Sequence, residues 1–377
     1  MQIQSLCVKN FKSIQALEIH DIENSLILVG KNNTGKTAVL DAIRAVTGNY
    51  VVDDNDFNEK KQNIEIAMVL ELTDEDLQQF HAQGVVSSYK RYDAWRRDFC
   101  EKLPSFQDDK LTFNCVMNHS GKVRYDDGVM KHNPYIVEIL PKLHFIDTTR
   151  NLAAFQEDLL IFQKSKELSC LRSNKCMFDK AKCCNHCFSC IGLINQKKPE
   201  DLQLHETAKL LEYKIFQLNI SEFSKKMNAN YRKNGGVENI YYSLSYDMEK
   251  MFLIEVDTWH EELKRSNSVE NLSNGMKSIY MLSMLETYIE DENIMQSIIV
   301  VEYPELFLHP SLQKTASKIL YRLSKKNQVI FTTHSPNMVS NFTRGQICQM
   351  ILDENGYSVA RQNADIDDIL NDLGYSA

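Results

Sequence analysis

Ser25-Leu26-Ile27-Leu28-Val29-Gly30-Lys31-Asn32-Asn33-Thr34-Gly35-Lys36-Thr37 is an apolar run that ends in a complete G-x-x-x-x-G-K-T loop. The run reads as a buried strand, and residues 36–46 predict a helix directly after the loop. Gly30 and Gly35 let the backbone N–H groups between them, those of Asn32, Asn33 and Thr34 included, curl around phosphate oxygens. The positive end of the helix dipole points at the same oxygens. Lys36 is placed to bridge the β- and γ-phosphates, and Thr37 offers its hydroxyl to Mg²⁺. Strand, loop and helix in this order predict a nucleoside triphosphate site.

A second constellation lies far along the chain. Ile298-Ile299-Val300-Val301 reads as another buried strand and leads into Glu302-Tyr303-Pro304-Glu305-Leu306-Phe307-Leu308-His309-Pro310. Before it, Leu272-Ser273-Asn274-Gly275-Met276-Lys277 opens a helix predicted to reach residue 290. After it, a strand over 329–332 ends in Thr333-His334-Ser335-Pro336. The order of phosphate loop, L-S-x-G-x-K, acidic strand end and T-H-S-P resembles the ABC-type ATPases, specifically the SMC, RecF and OLD-like group. The resemblance covers roughly residues 1–50 and 268–345. It implies an α/β fold: an ABC-type P-loop ATPase head with a large, mostly helical insertion.

The resemblance implies roles as well. Two heads face each other, and Ser273 and the amides near Gly275 of one head cap the γ-phosphate of ATP held by the other. Such a site is incomplete in a monomer. His334 resembles the switch histidine that touches the γ-phosphate, and Asn32 fits the G-x-N-x-x-G-K variant. Glu302 corresponds to the acid that helps to hold Mg²⁺. Most members carry a second acid next to it that polarises the attacking water, whereas this chain has Tyr303. A phenol with a pKa near ~10 is a poor base at neutral pH. Glu305 is the candidate replacement; the alternative is a slow or silent ATPase that uses ATP as a clamp.

With 377 residues, 43% apolar and 25% charged, the chain has the composition of a folded protein with two or three compact units. No apolar run approaches the ~20 residues needed to span a bilayer, and residues 1–6 do not form a signal peptide, so a cytoplasmic protein without membrane contact is expected. A net charge of −8 argues against a generally basic nucleic-acid binder. Two basic stretches, Lys90, Arg91, Arg96 and Arg97 beside Trp95, and Lys225, Lys226, Arg232 and Lys233 beside Tyr231, leave local DNA contact open.

Of ten cysteines, Cys7, Cys100, Cys115 and Cys348 read as small buried hydrophobes. Cys170, Cys176, Cys183, Cys184, Cys187 and Cys190 cluster, with C-x-x-C-x-x-C at the end and His186 inside. That spacing suits thiolate metal binding, with Cys176, Cys184, Cys187 and Cys190 as the candidate set. Zn²⁺ is the first choice and an iron–sulfur cluster the second.

The expected organisation is an N-terminal head part over 1–147, a helical insertion over 148–236 with the cysteine-rich module at 170–190, and a C-terminal head part over 237–377. Strands are expected at 3–9, 16–20 and 64–72, and helices at 73–82, 88–103, 151–166, 201–217 and 221–230. A hairpin is expected over 111–125 and another over 240–256, and an amphipathic helix over 364–373. His260 is expected at a helix start after Asp257-Thr258. OLD members of the family carry a C-terminal Toprim nuclease, for which the residues after T-H-S-P leave no room. The resemblance thus points to a self-associating ATPase that controls a separate effector, a nuclease or toxin, in antiphage defence. A RecF-like DNA-repair ATPase and a non-hydrolysing scaffold are the alternatives.

Overall fold

The computed structural model describes residues 1–152, 187–217, 221–234, 237–239, 256–262, 264–289 and 297–374. Cys170, Cys176, Cys183, Cys184 and His186, nearly all of the helix expected at 151–166 and the hairpin expected at 240–256 lie outside them.

Strands β1 (Gln2–Phe11), β2 (Ile14–Ile19) and β3 (Ser25–Val29) open the chain, and α1 (Lys36–Val46) follows the glycine loop. Next come β4 (Ile64–Glu71), α2 (Asp74–Gln83), α3 (Tyr92–Lys102), β5 (Phe106–Gln107), β6 (Lys110–Met117), β7 (Val123–Asp126), α4 (Tyr135–Ile139) and β8 (Lys142–Ile146). Helices α5 (Ile191–Ile194), α6 (Leu204–Gln217) and α7 (Ser221–Lys233) precede a hairpin of β9 (Asp257–His260) and β10 (Arg265–Ser268). The remainder runs α8 (Asn274–Ile289), β11 (Ser297–Val301), α9 (Pro310–Leu323), β12 (Gln328–Thr333), α10 (Pro336–Val339), β13 (Ile347–Leu352), β14 (Ser358–Gln362) and α11 (Ile366–Asp372).

The chain divides into two compact units, Met1–Asn151 with Val269–Ala377, and Leu152–Ser268. The first unit holds two six-stranded sheets. One is antiparallel, in the order β2-β1-β4-β6-β5 with β7 on β6. The strict alternation of burial along β4 shows one face on the core and one turned outward. The other sheet runs β14-β13-β3-β12-β11-β8, and all its pairings are parallel except β13 with β14. β3, β11 and β12 are buried at every position, as parallel strands covered on both faces require. Val29 pairs with Thr333, and Val301 with both Phe331 and Ile146. Gly30, Glu302, His334 and Asp147 therefore leave neighbouring strands at one end of the sheet, where open α/β sheets bind ligands.

Some local expectations changed. Thr73 and Asp76 form the anticipated capping box of α2, and Asp76 also takes the Met1 ammonium at 2.5 Å. α3 starts at Tyr92 rather than at Ser88. Cys100 is exposed, because it follows Phe99 round the helix, away from the face that buries Trp95 and Phe99. Cys7 is only partly buried, while Cys115 and Cys348 are interior, and burial pushes both interior thiols up to about 12. His260 ends a strand instead of starting a helix: Asp257–His260 pairs antiparallel with Arg265–Ser268, and Thr258 donates its hydroxyl to Asn267 O at 3.0 Å.

One side chain fastens the two sheets. Gln328, at the start of β12, accepts from Ile3 N at 2.8 Å and donates to Ile3 O at 2.7 Å and Glu23 O at 2.9 Å. It thereby completes the backbone pairing of Ile3 where β1 slips register against β4 between Ile3 and Ser5. Each buried backbone group left without a partner costs about 1–3 kcal/mol. Gln328→Ala is expected to destabilise the larger unit by about 2–4 kcal/mol, read as a lowered urea midpoint at unchanged m-value.

Candidate nucleotide-binding site

The loop turns where only glycine fits. Gly30 has φ 144°, and a Cβ there would lie 2.2 Å from Met350 O. Gly35, the N-cap of α1 at φ 91°, has Ser358 Oγ 2.1 Å from the same hypothetical atom. Asn33 also takes a left-handed conformation, which asparagine tolerates. Asn32 and Asn33 are exposed on the loop, whereas Thr34 is buried and donates to Lys31 O at 2.9 Å.

Lys36 is 2% exposed and folds over the loop, donating to Gly30 O at 2.9 Å and Lys31 O at 2.6 Å. Burial lowers its pKa to about 8, against the opposing field of Glu305. A cation held on neutral carbonyls can exchange them for phosphate oxygens. Thr37 donates to Glu302 Oε1 at 2.6 Å, so a hydroxyl and a carboxylate meet. These are hard oxygen donors of the kind Mg²⁺ prefers.

Tyr303, at φ 45°, stacks its ring on that of His334, with centroids 5.0 Å apart and planes 8° from parallel. The ammonium of Lys36 lies 5.9 Å from the same ring. Burial raises the phenol's pKa further, which removes Tyr303 as a base. Burial and the nearby Lys36 lower that of His334, so its imidazole is neutral at pH 7. Glu305 is the group with unused capacity. Its Oε1 accepts from His334 N at 2.7 Å, while among the described residues the buried Oε2 has no hydrogen-bond partner. Burial raises its pKa. A buried orphan carboxylate oxygen calls for a donor such as water.

Ser273 and Gly275 come from a separate element, the first turn of α8 and the residue before it. Ser273 is exposed at the start of α8, where its Oγ accepts from Met276 N at 3.4 Å. Gly275 packs against the backbone of the acidic segment, since a Cβ would fall 2.6 Å from Phe307 O. Among the described residues no hydrogen bond joins either of them to the phosphate loop. Two residues that sequence reading passed over shape the site. Gln313 on α9 accepts from Ser335 Oγ at 2.8 Å and Asn337 Nδ2 at 3.2 Å, which fixes the turn after His334. Arg150, buried past the end of β8, donates to the carbonyls of Glu302 and Tyr303. Its only sequence signal was its place just after the strand that pairs with β11.

Of the candidate cysteine ligands, Cys187 is exposed and Cys190 is buried with Ile191 and Ile194 in a small apolar cluster. Cys176 and Cys184 lie outside the described residues. Elsewhere, Cys7 on β1, Glu18 on β2 and His20 just past β2 bring ligand atoms within 4.8 Å of one another. In the first basic stretch Trp95 is a core residue, and Arg96 is engaged by Tyr92, Asp74 and Asp109. Among the described residues no helix is long and apolar enough to cross a membrane.

A family model described as an AAA ATPase domain matches residues 1–339. Among solved structures, the chain is similar to the Smc head domain of Pyrococcus furiosus with an extended coiled coil, bound to the C-terminal domain of ScpA. The TM-score is 0.55 at 14% identity, over 99% of this chain and 98% of that one. The Smc head domain of Pyrococcus yayanosii with a coiled coil and joint gives 0.51 at 10% identity, over 99% of both chains. No curated protein matches. The parallel sheet, the residues gathered at its end and the match over nearly the whole chain agree: the chain belongs to the AAA ATPase domain family and shares the fold of the Smc head domain.

Proposed function

We propose that the protein binds ATP with Mg²⁺ on Gly30, Asn32, Asn33, Thr34, Gly35, Lys36 and Thr37, and closes head to tail on a second copy through Ser273 and Gly275. It then hydrolyses ATP slowly, with Glu305 as base. The observation that carries this reading is the buried, half-unsatisfied carboxylate of Glu305 beside Lys36 and His334. A carboxylate with a raised pKa is the better proton acceptor near neutrality. Mg²⁺ would be held by Thr37 and Glu302 and would supply charge neutralisation at the phosphates. Glu305 would take the proton from the attacking water, Lys36 would hold the γ-phosphate, and neutral His334 would donate to it. The ATP cycle would control a separate effector, a nuclease or toxin, in antiphage defence; that part rests on the resemblance to OLD-like ATPases. Zn²⁺ on Cys176, Cys184, Cys187 and Cys190 belongs to the same proposal.

Tyr303 supports the second reading, a clamp without turnover, because a stacked phenol occupies the position of the usual second acid. Steady-state phosphate release decides between them. Glu305→Gln is expected to lower kcat by about 100-fold or more while ATP still drives dimerisation by light scattering. Equal inactivity of wild type and Glu305→Gln with intact dimerisation would establish the clamp.

Two pH dependences follow. Free Lys36 loses its charge as pH rises through about 8, whereas a phosphate-bound ammonium keeps it. Binding therefore takes up a proton above that pH, and ATP affinity should fall by up to about tenfold per pH unit from pH 8 to 10, measured with a fluorescent nucleotide. Glu305 must be ionised to act, so kcat should fall as pH drops through its raised pKa. That acid limb should lie above the ordinary carboxylate range.

A further inference from the structure

Asp147, just past β8, accepts from the backbone N–H groups of Thr149 at 3.1 Å and Arg150 at 3.0 Å. The turn sets Arg150 at φ 53°, a conformation that L side chains rarely take, and sends its side chain inward to 2% exposure. The guanidinium then reaches three segments. Nε donates to Ser278 Oγ at 2.8 Å, Nη2 to Tyr303 O at 2.7 Å and Glu302 O at 3.1 Å, and Nη1 to Asp147 O. Ser278 gives its own proton to Asn274 O at 3.2 Å, so it receives the bond from Arg150 in a fixed rotamer.

A continuous path of hydrogen bonds thus runs from the backbone of Glu302 and Tyr303 through Arg150 and Ser278 to Asn274, the residue between Ser273 and Gly275. The far end of the acidic segment is pinned to the same turn, because Gly275 leaves no room for a side chain against Phe307 O. Between these two points the segment is folded into turns, with Leu306 N donating to Tyr303 O at 2.9 Å and Leu308 N to Glu305 O at 3.0 Å, and with Tyr303 at φ 45° and Phe307 at φ 64°. The hydrogen-bond partners of this buried cation are carbonyls and a hydroxyl, an arrangement that costs solvation and that only the flat fork of arginine can span. Lysine has three donors on one atom and cannot serve both Ser278 Oγ and two carbonyls in these directions.

We infer that Arg150 is a positioning residue that makes the acidic segment 302–307 and the first turn of α8 move as one piece. An anion or a second copy engaging the Ser273–Gly275 turn then resets the orientation of Glu302 and Glu305. The inference rests on the nucleotide reading above and adds to it a route by which closure of the pair switches on hydrolysis. Dimer formation and the chemical step are coupled through one guanidinium.

The test uses the full-length protein with Ser278→Ala, which removes only the link to α8, and Arg150→Lys, which keeps the charge but not the fork. Fluorescent ATP affinity, kcat, KM and the protein concentration giving half-maximal activity are measured for each, alongside the unfolding midpoint. For Ser278→Ala, ATP affinity and KM should stay within twofold of wild type while kcat falls at least fivefold. Arg150→Lys should lose more kcat with a similarly small change in affinity. A lesion that merely loosened the fold would weaken binding along with turnover. If the wild type binds ATP without turnover, the readout is the concentration for ATP-driven dimerisation, expected to rise at least fivefold in Ser278→Ala. Wild-type kcat and dimerisation in Ser278→Ala would overturn the inference even if Arg150→Lys failed to fold. A wild type that does not bind ATP would overturn the nucleotide reading and the inference with it.

Discussion

The parallel register of β3, β12, β11 and β8 is the constraint from which the site follows. Each strand is a short apolar run buried on both faces, and such runs are held in place by packing above and below as much as by their ladder bonds. Because the register sets Val29 level with Thr333, and Val301 level with Phe331 and Ile146, four loops of unlike sequence start at the same end of neighbouring strands. A slip of one residue in β11 would turn its side chains to the opposite faces and draw Glu302 away from Thr37. The chemistry is carried by loops, and the precision comes from apolar strands that touch no ligand.

Electrostatics at this end of the sheet sets two buried cations against two partly buried carboxylates. Lys36 and Arg150 are the cations, and Glu302 and Glu305 bring the carboxylates. None of the four ends in an isolated, well-satisfied pair. Lys36 rests on carbonyls, Arg150 on carbonyls and a hydroxyl, and Glu305 keeps one oxygen without a partner among the described residues. Such an arrangement is poor for stability alone and suited to receiving a polyanion with its cation.

The glycine loop, the three buried strands and the acidic strand end were legible because their signals are local. A G-x-x-x-x-G-K-T string and apolar runs of strand length need no knowledge of what they pack against. Arg150, Gln313 and Gln328 were not legible, because each acts on segments distant in sequence and an isolated Arg or Gln in a polar stretch carries no periodic signal. The helix anticipated at Asp257-Thr258 failed for the opposite reason: a good capping pair was overridden by strand pairing with residues just downstream. Cys100 misled because hydrophobicity alone does not say which face of a helix a residue occupies.

The order of the strands has a further consequence for how the chain is made. β3 has no neighbour from its own half of the sequence: its two partners are β12 and β13, which begin at Gln328 and Ile347. During synthesis at about 5–20 residues per second, the Ser25–Val29 run therefore waits roughly 15–60 seconds for a pairing partner to leave the ribosome. Over that interval the most apolar strand beside the phosphate loop is an unpaired edge, the kind of segment that nascent-chain chaperones bind. This strand of the sheet is made well before either of the strands that secure it.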